Sequence, residues 1–307
     1  HLGEFLFATK TYHDSKNTPE AMRCLLDVLE FAMVVPRGGD LGARNVGVHY
    51  EAYSQLVAWA LVDRVDARTA REAVARLTQR ETRRWPLSEN LREDLRQGGV
   101  AQKLFEFQAG PISTWETKLP VTTASGDLGT LWNRAQVVYG GPKALIEAAD
   151  RCVQQARERL KTPWQPNRPK LSIHVPSHPW TESTYADMEQ ADYLFRTQAK
   201  LLRTHLALRA YFLERGSYPK SLEILVKAGY LKALPGDPYA PTQRTPLQYR
   251  LSGKTFLLWS VGPDGKDDGG QGPLANRKQP TGRSFSGDIV GKDYSYYKVI
   301  YKKASPS

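Results

Sequence analysis

Five prolines, Pro163, Pro166, Pro169, Pro176 and Pro179, fall between Lys161 and Trp180. Each removes a backbone donor and blocks the helical turn before it, so no helix crosses this stretch. It reads as an extended connector. The chain has 307 residues, enough for two domains or one large one. The connector at 161–180 divides it into an expected helical domain at 1–160 and a second domain at 181–307.

Before the connector the apolar residues recur at helical spacing. Thr18-Pro19-Glu20 has the chemistry of a helix start, with Pro tolerated at the first position and Glu near the positive end. Met22, Leu25, Leu26, Leu29 and Met33 follow it, and Pro36-Arg37-Gly38-Gly39 ends the run. Further helices are predicted over about 46–65, from Asp66 as cap through Leu77, from Ser88 as cap through Leu95, and from Pro142 to Leu160. Residues 108–140 are rich in Gly, Thr and Ser and read as irregular.

Beyond the connector a long helical pattern runs from about Glu182 to Arg215, and Gly216 stops it as a left-handed terminal residue would. Ser221 is placed as the cap of a short helix, Leu222 to Ala228. The alternating stretches Leu247–Arg250 and Thr255–Trp259, joined by Ser252-Gly253-Lys254, read as a hairpin. The aromatic and β-branched run Tyr294–Tyr301 is a candidate third strand. The expected class is α+β overall: an all-α N-terminal domain, then a long helix with a small antiparallel sheet.

Within 181–307, several unusual features stand in a fixed order: Ala207-Leu208, Tyr211, Gly216, Tyr218-Pro219, Leu222, Leu225, Asp237-Pro238, Tyr249, Ser260, Gly262, Asp264-Gly265 and Asp288-Ile289. In that order they resemble the soluble C-terminal domain of the major pseudopilin family of type II secretion systems. The likeness covers about residues 182–290. It departs in three ways. About 180 residues of helical and proline-rich sequence precede it, where a pseudopilin carries its processing site and hydrophobic helix. The family's Asp-Pro-Trp-Gly stands here as Asp237-Pro238-Tyr239-Ala240, and the loop from Gly265 to Asp288 is long. The layout is closer to bacterial proteins in which a helical region with an N-terminal anchor precedes a pseudopilin-like tail.

The richest chemistry lies in Gly262-Pro263-Asp264-Gly265-Lys266-Asp267-Asp268-Gly269-Gly270 together with Asp288. Calcium takes six to eight oxygens, and Asp264, Asp267, Asp268 and Asp288 offer hard ligands while the glycines let carbonyls turn inward. By themselves these residues fit either a calcium shell or a polar turn cluster on the surface. The resemblance implies calcium, with Asp264 and Asp288 as direct ligands. The spacing is not that of an EF-hand, which needs a Glu at loop position 12.

No catalytic constellation is legible. His174 and His178 are four apart, but Pro176 keeps them off one helical face. Ser260 is not in a G-x-S-x-G elbow, and neither Gly38-Gly39 nor Gly140-Gly141 continues into a phosphate loop. Cys24 and Cys152 are read as two buried thiols, pairing only if the fold and an oxidising compartment bring them together. Trp164 and Trp180, in the connector, are candidates either for anchoring a partner or for packing the strap onto the helical domain.

The formal charge is +11, from 43 Lys and Arg against 32 Asp and Glu, but the excess is spread along the chain and reads as solvated surface. Leu25–Val35 is too short and too interrupted by Asp27 and Glu30 to span a membrane. The chain begins at His1, and the resemblance implies an anchor or signal before it and a place outside the cytoplasm, periplasmic or at the cell surface. The expected function is a non-enzymatic scaffold or assembly subunit of a membrane-associated complex or filament, with other protein subunits as partners and nucleic acid not among them. The alternatives are a hydrolase with its site in the helical domain, or a polyanion-binding protein.

Overall fold

The computed structural model describes residues 18–34, 58, 61–94, 146–166, 168, 182–242, 244–271 and 289–290. Three helices come first: α1 (Thr18–Val34), α2 (Ala67–Arg83) and α3 (Leu87–Asp94). Residues 146–161 are helical and form α4. After the connector come α5 (Glu182–Arg215) and α6 (Leu222–Lys227). The strands β1 (Gln248–Ser252), β2 (Thr255–Ser260) and β3 (Ile289–Val290) make an antiparallel sheet in the order β1-β2-β3. The described residues are thus α+β.

Helix α5 is the spine. From Tyr193 to Ala210 most of its positions are buried, on every face, as befits a helix enclosed by its neighbours rather than laid on a surface. Helix α2 runs along one side of it and turns Ala70, Ala73, Val74 and Leu77 inward, a stripe at i, i+3, i+4 and i+7. The two alanines carry little side chain and let the helices approach. Helix α1 packs on α2, and strand β2 packs on α5. Among the described residues one apolar cluster joins Met22 and Leu25 of α1, Leu61, Leu77 of α2, Leu202 and Leu206 of α5, Leu225 of α6, Leu258 of β2 and Ile289 of β3. Each fully buried leucine contributes about 1.5–3 kcal/mol.

The helix ends follow the local chemistry in part. The Asp66 carboxylate accepts from the Thr69 N–H at 2.7 Å and caps α2. Gly216 takes φ +76° and its N–H reaches the Phe212 carbonyl at 2.8 Å, closing α5. Ser88, read as a cap, lies inside α3; the helix starts a residue earlier, and the Pro86 carbonyl receives Glu89 N and Asn90 N. Ser221 precedes α6 as expected, but its side chain makes no capping bond.

The hairpin pairs Ser252 with Thr255 across the two-residue turn Gly253-Lys254, and Gly253 has the positive φ (+58°) such a turn needs. The third strand is Ile289–Val290, which pairs with Ser260 and Trp259. The stretch Tyr294–Tyr301 lies outside the described residues, as do 108–140, His174, His178, Trp180 and Asp288. Cys24 and Cys152 are both buried and form no disulfide with each other. No helix among the described residues is long and apolar enough to cross a membrane.

Candidate functional site: the aspartate loop and the strap across it

Strand β2 ends at Ser260, which is fully buried, and the chain turns there into the Asp/Gly loop. The turn is held by Asp237, itself fully buried. One Asp237 oxygen accepts from Ser260 Oγ at 2.7 Å and from the Tyr239 N–H at 3.0 Å; the other accepts from the Val261 N–H at 2.9 Å. Ser260 Oγ in turn accepts from the Gly262 N–H at 3.2 Å. Burial raises the Asp237 pKa above the ordinary carboxyl range, against the lowering effect of these donors. The Asp-Pro turn is also tied to the spine, because Lys200 Nζ donates to the Gly236 carbonyl at 2.9 Å.

These contacts give physical work to residues otherwise notable only for their order. Tyr218-Pro219 is used in the same way. The Tyr249 hydroxyl on β1 donates to the Pro219 carbonyl at 2.7 Å, and the Tyr218 and Tyr249 rings both pack on Phe256 of β2. Burial pushes the Tyr249 hydroxyl up to about 12.

Beyond Ser260 the loop turns at Gly262 (φ +70°) and Gly265 (φ +68°), with Gly265 N donating to the Gly262 carbonyl. Asp264 Oδ1 accepts from the Lys266 N–H at 3.2 Å. Asp267 faces the sheet: its Oδ1 accepts from the Trp259 indole N–H and from the Gly269 N–H, both at 2.9 Å. Asp267 and Asp268 are exposed, and Asp264 is half-buried. Gly270 then lies so close over β2 that a Cβ there would stand 2.3 Å from Leu257 Cδ2.

The connector crosses this loop. The Trp164 indole N–H donates to the Pro263 carbonyl at 2.7 Å. Its ring sits against Tyr193 of α5 and Tyr239 of the Asp-Pro turn, with centroids 4.8 and 5.3 Å away. The half-buried Trp164 therefore spends its ring and its N–H inside the protein. A second clamp lies just beyond. Glu189 of α5, 2% exposed, receives guanidinium donors from Arg159 and Arg168, each at 2.8 Å. Arg168 also donates to the Arg159 and Thr162 carbonyls and to the Thr162 hydroxyl. None of these partners could be chosen from spacing alone, although a tryptophan between prolines is a fair sign of a strap that docks.

The loop offers hard oxygen donors of the kind calcium takes. Among the described residues, however, no three acidic, histidine or cysteine side chains converge on one point. Asp267 is oriented by Trp259, and Asp288 lies outside the described residues, next in the chain to Ile289, which pairs with Ser260. The described donor set is thus part of a shell at most. No family model matches this chain, and neither any curated protein nor any solved structure matches it.

Proposed function

We propose that this chain is a non-enzymatic, extracytoplasmic scaffold or assembly subunit of a membrane-associated complex, with an all-α N-terminal domain leading into a pseudopilin-like tail. The observation that carries the reading is the Asp237 carboxylate. It gathers Ser260 and Val261 across 23 and 24 residues of chain, so the Asp-Pro turn and the Ser-x-Gly-x-Asp-Gly loop act as one structural unit. Both Asp237 oxygens and the Ser260 hydroxyl are spent inside this unit, which suits a module that holds shape. The partners are other protein subunits.

The tail carries calcium in the Asp/Gly loop in this reading. Asp264, Asp268 and Asp288 would contribute carboxylate oxygens, with loop carbonyls completing the shell and Asp267 held back by Trp259. The ion would neutralise clustered carboxylates and hold a glycine-rich loop whose ordering costs roughly 1–2 kcal/mol per residue.

Two measurements test this. The full-length gene product, cross-linked in cells and fractionated, is expected in the membrane fraction joined to other subunits; recovery as a cytoplasmic monomer would refute the scaffold role. Thermal melting in calcium and in chelator tests the ion. The parent is expected to melt higher in calcium and Asp288→Ala to show no difference, whereas identical melting of the parent in both would leave the loop a polar turn.

A further inference from the structure

One apolar cluster runs through residues on both sides of the connector, from Met22 and Leu77 to Leu202 and Leu258. Polar contacts cross in the same direction. Arg71 meets Glu214 at 2.7 Å, Arg84 meets Asp192 at 2.8 Å, and the Trp164 indole meets the Pro263 carbonyl at 2.7 Å. Each of these joins residues 18–168 to residues 182–290. Inside the first part, Arg157 of α4 holds Glu89 of α3 at 2.7 Å, which ties the strap to the helices before it. Along the chain, the two parts are linked only by residues 169–181.

That link is long for the gap it closes. The Arg168 guanidinium holds Glu189 at 2.8 Å. Glu189 stands seven residues into α5 from Glu182, about 10 Å along the helix. The thirteen residues 169–181 can reach about 43 Å when extended. Within one chain the link therefore leaves Arg168 and returns close to its starting point. Pro169, Pro176 and Pro179 lie in it, and proline fixes φ and favours stiff, extended backbone. A stiff segment resists closing a short loop on itself.

Run between two copies, the same link needs no such return. The second copy offers an identical seat, so every contact across the boundary is kept, and exchange of an identical element is a low-cost route to a dimer.

We propose that two copies of this chain exchange parts. Residues 18–168 of one copy seat on residues 182–290 of the other, and residues 169–181 are the hinge. The exchange is reciprocal, so it closes on itself as a two-fold dimer. The strap of one copy then lies across the aspartate loop of the other, and each candidate site is completed by a second copy. This names one partner for the assembly role proposed above. It rests on the contacts and the hinge alone, and it stands even if the calcium or membrane reading fails.

The test uses the whole chain. Arg71→Cys and Glu214→Cys are made in separate, distinguishable copies, at side chains 42% and 34% exposed that meet across the boundary. The two are co-expressed, purified and treated with a short bis-maleimide. The parent, treated alike, is the control for Cys24 and Cys152, which are both buried. A covalent dimer holding one copy of each variant is expected, and none from the parent. Replacing Pro169, Pro176 and Pro179 together by serine loosens the hinge and is expected to cut the dimer yield severalfold. Light scattering on the unsubstituted chain is expected to give the mass of two chains. A monomer mass there would overturn the proposal. So would a dimer mass without the mixed cross-link, which would mean association without exchange, or an unchanged yield in the serine variant, which would remove the hinge as its cause.

Discussion

The Trp164 indole and the Pro263 carbonyl are joined by a 2.7 Å hydrogen bond across 99 residues of chain, so the connector and the aspartate loop hold each other in position. Trp164→Phe keeps most of the ring packing against Tyr193 and Tyr239 and deletes only the donor. The expected loss is about 1 kcal/mol, one hydrogen bond to a part-buried carbonyl, read as a lower urea midpoint with an unchanged slope. Trp164→Ala also removes the ring and is expected to cost clearly more. A Trp164→Phe variant as stable as the parent would mean the bond contributes nothing beyond packing.

Glu189 ties the connector to the spine through two arginines in a nearly dry site. Glu189→Gln removes the counter-charge that both guanidiniums share, a change of the kind that costs about 3–5 kcal/mol. Trypsin is expected to cut the variant faster after Lys161 than it cuts the parent. Unchanged cleavage there would show that the strap is held by other contacts.

Arg71, Glu214 and Tyr230 join α2, the end of α5 and the chain after α6. Arg71 reaches Glu214 at 2.7 Å, the Tyr230 hydroxyl donates to Glu214 at 2.6 Å, and the Arg71 guanidinium lies 3.9 Å from the Tyr230 ring centre. The hydrogen bonds from Arg71 and Tyr230 lower the Glu214 carboxyl to about 2. A depressed carboxyl stabilises the fold above its unfolded pKa and loses that contribution as pH falls through its folded value. Because the group is about a third exposed, solvent screening holds the effect to about 1 kcal/mol or less. The parent is expected to exceed Glu214→Gln by that amount at pH 7, and the gap is expected to close between about pH 4.5 and pH 2 in urea melts. A gap that persists at pH 2 would assign the difference to packing.

Local chemistry in the sequence was legible where one short segment decides the outcome. The Asp66 cap, the stop at Gly216, the span of α5 and the Gly253 hairpin turn each depend on neighbours within a few residues. Contacts that depend on tertiary placement were not. Asp237 was legible as part of an Asp-Pro turn, but nothing in its spacing selects Ser260 as its partner. Asp267 read as a candidate calcium ligand, whereas the Trp259 indole and the Gly269 N–H orient it.

The return of the aspartate loop over the sheet is open to a paired test at two adjacent glycines. Gly269 has φ +72° and open space where a Cβ would stand; Gly270 has φ +81°, and a Cβ would meet Leu257 Cδ2 at 2.3 Å, Leu257 Cγ at 3.0 Å and Trp259 Cδ2 at 3.2 Å. Both alanine variants carry the cost of a left-handed backbone, roughly 1–2 kcal/mol. Gly270→Ala must also displace the loop or move two side chains of β2, and overpacking of that kind adds about 1–3 kcal/mol. Displacing the loop would break the Asp267–Trp259 bond as well, so tryptophan fluorescence is expected to change in Gly270→Ala and not in Gly269→Ala. Gly270→Ala is therefore expected to be the less stable by about the overpacking term alone. Equal stability of the two variants, with the same fluorescence, would mean that the loop does not lie against Trp259 in solution.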